Sequence, residues 1–204
     1  QLFTDLGVDT LVSGGQTINP STEDILKAVE LTPAEVVFVL PNNKNIIMAA
    51  ELAVPLATRK VIVLHTKTIP MGISAMLAFD SSVSDDDNAV EMMAAADNVY
   101  TGQITYAARN SDFDGHDIKE GDILALNNGK LDFTDTDFME ATVKLTEKMC
   151  SKESSFVTLI YGADVTDEQA EQVVNDLEGK LDSEIEISAV RGGQPIYYFI
   201  ISIE

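Results

Sequence analysis

A chain of 204 residues, 45% of them hydrophobic, is long enough to bury a core, either as one large domain or as two small lobes. Thirteen Lys and Arg stand against thirty-four Asp and Glu, a net charge of -21, so phosphate backbones and anionic bilayers are repelled and nucleic acid is a poor partner. No apolar run approaches the ~18 residues of a membrane span, no secretory signal pattern is visible, and the single Cys150 has no intramolecular disulfide partner.

In chain order, residues 2–7 read as the tail of a helix that began earlier. Three short apolar runs then lead into polar clusters. Leu11-Val12 enters Ser13-Gly14-Gly15-Gln16-Thr17-Ile18-Asn19-Pro20-Ser21. The run 36–40 enters Pro41-Asn42-Asn43-Lys44-Asn45, and 61–64 enters His65-Thr66-Lys67-Thr68-Ile69-Pro70-Met71-Gly72. The pattern predicts strand, loop and helix three times over, a parallel three-layer α/β lobe at 1–98. In such sheets ligand-facing groups collect where strands end and helices begin. Ser21 with Asp24 three places on predicts a helix start, with Ile25, Leu26 and Val29 as its apolar stripe. A helix from near Asn43 should stop at Pro55, and Ser84 followed by Asp85-Asp86-Asp87 should open another, with Met92 and Met93 inward.

The second lobe, 99–204, reads as a mixed sheet. Strands are expected at 103–108 and 123–126, the latter turning through Asn127-Asn128-Gly129-Lys130 as a type I′ hairpin. A helix is expected at 134–149, a strand at 156–161, and a helix from the Thr166-x-x-Gln169 capping box to 180. Strands at 185–190 and 196–203, joined by Gly192-Gly193-Gln194-Pro195, would close a βαβ unit with a hairpin. The stretches 12–18 and 190–196 match at five of seven places, but one leads into a helix and the other into a strand. A repeat would carry the same unit twice, so the echo reads as paired glycines used twice for tight turns.

The catalytic inventory is mostly negative. Gly14-Gly15-Gln16 is neither a phosphate loop nor a spaced dinucleotide fingerprint, and no kinase signature is present. Gly72-Ile73-Ser74-Ala75-Met76 starts like a nucleophile elbow but ends on Met76, so Ser74 reads as a helix residue. Asp112 and Asp114, at relative positions one and three, suggest calcium, yet the sixth place is Asp117 where glycine is needed and the twelfth is Ile123 where glutamate is needed. A solvated acidic loop from 112 to 122 is the better reading, and Asp112, Asp114 and Asp117 are the candidate partner-docking residues. His65 and His116 have no partner at zinc-ligand spacing, so no metal site is expected. No catalytic residue is assigned.

The wording of the loops carries a resemblance. Ser13-Gly14-Gly15-Gln16-Thr17-x-Asn19-Pro20-Ser21-Thr22-Glu23-Asp24, Pro41-Asn42-Asn43-Lys44-Asn45-Ile46, Thr66-Lys67-Thr68-Ile69-Pro70-x-Gly72 and the closing Gly192-Gly193-Gln194-Pro195-x-Tyr197-Tyr198 resemble the C-terminal part of the fatty acid kinase A subunit, a dihydroxyacetone-kinase-like family. The resemblance implies a DegV-like fold and a non-catalytic module of lipid metabolism. That module would dock the fatty-acid-binding B subunit so that its acyl carboxylate is phosphorylated by an ATP domain lying upstream. ATP and magnesium would belong to that upstream domain and no cofactor to this chain. It also implies that Ser13, Gly14, Gly15, Gln16, Thr17, Asn42, Asn43, Asn45 and Thr66 occupy strand-end places comparable to a carboxylate-holding site. The histidine that holds the ketone in dihydroxyacetone-binding relatives has no match here, and that role is not carried over. Three alternatives stay open: a substrate-binding domain of a dihydroxyacetone-type kinase, a lipid or small-anion site in the chain itself, and a homodimer.

Overall fold

Side-chain hydroxyls and amides start the helices of the N-terminal half, because the first backbone N–H groups of a helix have no partner within it. The computed structural model describes residues 2–13, 19–113 and 116–204. After a short α1, Leu2–Asp5, α2 spans Thr22–Leu31 behind a capping box: Ser21 Oγ accepts from Asp24 N at 3.1 Å, and Asp24 Oδ2 accepts from Ser21 N at 2.9 Å. Asn43 caps α3, Lys44–Ala53, and Pro55 ends it in a 3-10 turn, Val54–Leu56. Thr68 caps α4, Ile69–Leu77, and Ser84 caps α5, Asp85–Asp97, whose first turn holds three aspartates at the positive end of the helix dipole.

Between these helices lie two parallel strands, β1 (Val36–Val39) and β2 (Lys60–Val63), in register Val37↔Val61. Strand side chains alternate, so each face takes its own helices. Val37, Val39, Val61 and Val63 pack with Ile25 and Val29 of α2 and Ala50 and Ala53 of α3. Phe38, Ile62 and Leu64 pack with Met71 and Ala75 of α4 and Met92 and Ala96 of α5. This is the parallel three-layer arrangement, with two of the three expected strand–loop–helix units. Leu11 and Val12 form no strand and are 56% and 40% exposed. Two apolar residues are too few to hold a ladder and bury a face at once.

The chain divides into two compact units, Gln1–Val99 and Tyr100–Glu204. The second is built on a six-stranded sheet of β3 (Tyr100–Tyr106), β6 (Ile123–Asn127), β7 (Lys130–Asp135), β8 (Phe156–Tyr161), β9 (Glu186–Arg191) and β10 (Phe199–Ile203). These strands lie in the order β7-β6-β3-β10-β8-β9. Asn128 and Gly129 have φ of 48° and 80°, the left-handed pair that a type I′ hairpin between β6 and β7 requires. Helix α6 spans Phe138–Met149, four residues shorter at its start than expected, because β7 claims Thr134 and Asp135 and Asp137 then caps the helix. The capping box on Thr166 and Gln169 opens α7, Asp167–Glu178. Helices α6 and α7 cover one core, which includes Leu145, Val173, Leu159 and Phe199.

Two expectations change here. The segment expected as a solvated loop contains a short antiparallel ribbon, β4 (Ser111–Phe113) with β5 (His116–Ile118). The ending is a βαβ unit, with β8 and β9 parallel, but no hairpin closes it. β10 passes β8 and inserts between β3 and β8, antiparallel to both. All five of its residues are buried, and a strand apolar on both faces is stable in the middle of a sheet rather than at its edge.

Candidate functional site

The loops that follow β1 and β2 meet at the carboxyl edge of the first unit's sheet. Leu64 N continues the ladder to Val39 O at 2.9 Å, and the chains then turn apart. Asn42 takes a left-handed backbone, φ 54°, which asparagine tolerates better than most residues. Its N–H donates to Thr66 Oγ1 at 3.1 Å, which ties the two loops together. Thr66 is fully buried, so its hydroxyl is a structural acceptor before it is anything else. Asn43 Oδ1 accepts from Asn45 N at 2.9 Å and caps α3.

The side chain of Asn42 points at the first turns of α4. A Cβ on Gly72 would lie 2.1 Å from Asn42 Oδ1, so only glycine leaves room for that carboxamide. Asn42 Oδ1 is itself buried and, among the described residues, accepts no hydrogen bond. A buried amide oxygen without a donor is uncommon, and its desolvation costs about 1–3 kcal/mol unless something supplies the donor. Asn42 also borders a cavity of 380 Å³ together with Leu11, Val12, Ile25, Asn43 and Ile46. The β2–α4 loop is pinned to α3 from outside by His65, whose Nε2 lies 2.6 Å from Glu51 Oε1.

Of the nine candidate ligand residues, the structure brings together Asn42, Asn43, Asn45 and Thr66. Ser13 is exposed in an irregular segment, and Gly14, Gly15, Gln16 and Thr17 lie outside the described residues. Of the three docking aspartates, Asp112 and Asp117 are exposed and face each other across the β4–β5 ribbon, and Asp114 lies outside the described residues. Among the described residues no cluster of three or more His, Cys, Asp or Glu could hold a metal ion. Ser74 is buried within α4, and burial pushes the Cys150 thiol up from its ordinary value.

Sequence reading passed over Gly72 as an anchor, although a glycine inside an apolar helix start is itself a signal of close approach. It also passed over Arg59, whose guanidinium spans the carbonyls of Glu30, Thr32 and Ala34 and holds the end of α2 against β2.

The second paired-glycine loop is closed. Gly192 N and Gly193 N both donate to Tyr161 O, at 2.9 and 3.1 Å. Gln194 Nε2 donates to Ile160 O at 2.9 Å, and Gln194 O accepts from Ala163 N at 3.0 Å. A Cβ on Gly162 would lie 2.2 Å from Tyr197 O, so backbone fills the space a ligand would need.

Comparison with known proteins agrees with this architecture. The chain is 41% identical over 203 residues to Protein YloV of Bacillus subtilis, covering 100% of this chain and 36% of that protein. The chain therefore spans about a third of the length of the curated relatives it matches. Among solved structures it resembles the fatty acid kinase B3 protein of Streptococcus pneumoniae loaded with linoleic acid, at TM-score 0.61 and 12% identity, covering 91% of this chain and 76% of that one. It also resembles a fatty-acid-binding DegV family protein from Thermus thermophilus, at TM-score 0.63 and 14% identity over 91% and 78% of the two chains. The dihydroxyacetone kinase of C. freundii matches at TM-score 0.60 and 14% identity over 90% of this chain and 41% of that one. At such identities these structures establish the DegV-like fold. The C-terminal family of fatty acid kinase A-subunit-like proteins matches residues 1–204, and with the whole of its length covered the chain belongs to that family.

Proposed function

We propose that this chain is the non-catalytic C-terminal module of a bacterial fatty acid kinase A subunit, working in the cytoplasm. It docks a fatty-acid-binding partner so that the bound acyl carboxylate reaches an ATP domain elsewhere in the polypeptide, which holds the ATP and magnesium. The observation that carries this reading is the family match across residues 1–204, in a chain spanning only about a third of its relatives. The exposed Asp112 and Asp117, with Asp114 between them in sequence, steer a basic partner surface, and the net charge of -21 extends that attraction over a Debye length of ~8 Å. The test is capture of the fatty-acid-binding partner by the full-length protein with and without this module, beside calorimetry of the module with magnesium-ATP. Loss of capture without the module and no saturable ATP binding support the reading. Unchanged capture, or micromolar ATP binding by the module, sinks it.

A second reading is favoured by Asn42 Oδ1 alone: a buried acceptor on a residue that borders a 380 Å³ cavity suits a small ligand that brings a hydroxyl, such as a polyol or a protonated carboxyl group. Dihydroxyacetone and a short-chain fatty acid are the probes. Binding of either that disappears in Asn42→Ala would make the strand-end loops a ligand site, and heat changes indistinguishable from buffer would leave Asn42 as packing.

A further inference from the structure

Acid is spread unevenly along this chain. From Val36 to Phe79 it carries Lys44, Arg59, Lys60 and Lys67 against the single Glu51, leaving nine of the thirteen basic residues to face thirty-three of the thirty-four acids elsewhere. Arg59 and Lys60 are engaged, the first with Glu30 and the second with Asp85 and Asp86. Lys44 and Lys67 form no ion pair among the described residues. Glu51, the only acid here, is held by His65.

The same segment shows an apolar stripe to solvent. Met48, Leu52 and Leu56 are 74%, 58% and 61% exposed. Lys44, Met48 and Leu52 recur every four residues along α3 and so lie along one of its faces, and Leu56 follows in the 3-10 turn that ends the helix. The inner face of α3 is already filled by Ala50 and Ala53, so the stripe is surplus to this unit's own core. Single exposed apolar residues are ordinary, but Met48, Leu52 and Leu56 in succession, inside a net-positive stretch of a strongly acidic chain, are a surface built for contact.

We propose that this α3 face docks an acidic-rimmed apolar surface in the neighbouring part of the same, longer polypeptide. The proposal rests on the reading of this chain as one module of such a polypeptide, which the relatives' lengths support. Charge selects the occupant. A second copy of this chain meeting the face symmetrically would set its net-positive surroundings, Lys44 on the face itself, against the same charge, and a basic partner would be repelled here while the β4–β5 ribbon attracts it. Tethering favours the intramolecular choice as well, because a short stripe that would bind weakly between free molecules suffices at the high effective concentration a linker imposes.

Met48 is a built-in reporter, since an exposed methionine oxidises readily and a docked one does not. The experiment is oxidative footprinting of the full-length polypeptide, with capture of the fatty-acid-binding partner read in the same samples. Met48 is expected to oxidise about tenfold more slowly in the wild-type protein than in a Leu52→Glu, Leu56→Glu variant, with Lys44→Glu and Lys67→Glu giving part of that release. The exposed sites chosen leave the core intact, and an unchanged melting temperature confirms it. Four outcomes overturn the proposal: equal Met48 rates in wild type and variant, protection that grows with protein concentration, protection only after the separate partner is added, and a gene that encodes no further domain. Partner capture that fails while Met48 stays protected would instead count against the proposed function.

Discussion

The two units each finish a parallel strand in a tight polar loop, and the loops treat their hydrogen bonds in opposite ways. In the second unit the loop after β9 folds back on β8 until Gly192, Gly193 and Gln194 have all found partners on Ile160, Tyr161 and Ala163. In the first, the loops after β1 and β2 are tied by a bond between Asn42 and Thr66, and Asn42 Oδ1 lies buried without a donor among the described residues. The lesson is that a glycine-rich polar loop at a strand end is no site in itself. A loop that satisfies itself is structure, and a loop that leaves a polar atom waiting is where a ligand has something to offer.

The largest effect should come from breaking the closed loop. Gly162→Ala would drive a Cβ into the backbone carbonyls of Tyr197 and Gln194, at 2.2 and 2.7 Å, which no side-chain rotation relieves. A loss of about 3 kcal/mol is expected in urea unfolding, with β8 and β10 amides exchanging faster. Gly179→Ala is the control, since its nearest neighbour would be an ordinary 3.6 Å away. Equal losses at the two positions would break the comparison.

Gly72→Ala tests the open loop more gently, because the atom it meets is the end of a side chain. Expulsion of the Asn42 carboxamide, partly offset by better helix propensity, should leave a net loss of about 1 kcal/mol. Asn42 has φ 54°, so Asn42→Gly is tolerated, and in that background Gly72→Ala should become neutral or stabilising. A double-mutant cycle measures the coupling, expected at about 1 kcal/mol. Additive losses would show that Asn42 does not press on Gly72.

Thr66→Val removes the acceptor that ties the two loops while keeping the buried shape, and should lower the unfolding free energy by about 1 kcal/mol. Thr66→Ser should restore most of it. A Thr66→Val protein as stable as wild type would mean that Asn42 N finds another partner.

The smallest expected effect is a difference in pH response. In the first unit, Ser21's N–H on Asp24, the Thr58 hydroxyl on Glu30, the Ser82 hydroxyl on Asp80 and the Lys60 ammonium on Asp85 hold all four carboxyls below their ordinary values. A lowered folded value means a contribution present above about pH 4 and lost as the pH falls through the folded values. In the second unit Lys148 does the same for Asp132, while Tyr161 is shifted the other way by its hydrogen bond to Asp167. That raised value means a contribution present below about pH 10 and lost as the pH rises past it. Hydrogen exchange should therefore show acid loosening the first unit more than the second, while alkali reaches both, through Tyr161 in the second and through Lys60, whose ammonium Asp85 and Asp86 hold above its ordinary value, in the first. Tyr161→Phe should shrink the second unit's alkaline loss, leaving the part due to the Cys150 thiol, and a loss unchanged by the substitution would refute the assignment.

Much of the fold was legible, and the reason is local. Ser21 with Asp24, Thr166 with Gln169, Ser84 before its three aspartates and the Asn128-Gly129 turn act within a few residues of themselves, so spacing alone reveals them. The candidate site was half legible: its loops could be picked out, but the contact that matters joins Asn42 to Gly72 across two loops, and no spacing rule connects them.

By itself the sequence determined where the capped helices of the first unit and α7 start, the two strand-end loops that formed, and the family, because those depend on short-range chemistry and on motifs in order. Tertiary structure alone decided three things. It left Leu11 and Val12 without a strand partner, it threaded β10 between β3 and β8, and it used up one glycine loop while leaving an acceptor buried in the other. Each is a competition between distant segments for the same buried space. Such competitions are settled by which packing hides the most apolar surface and leaves the fewest polar groups unpaired, a property of the whole chain that no single segment carries.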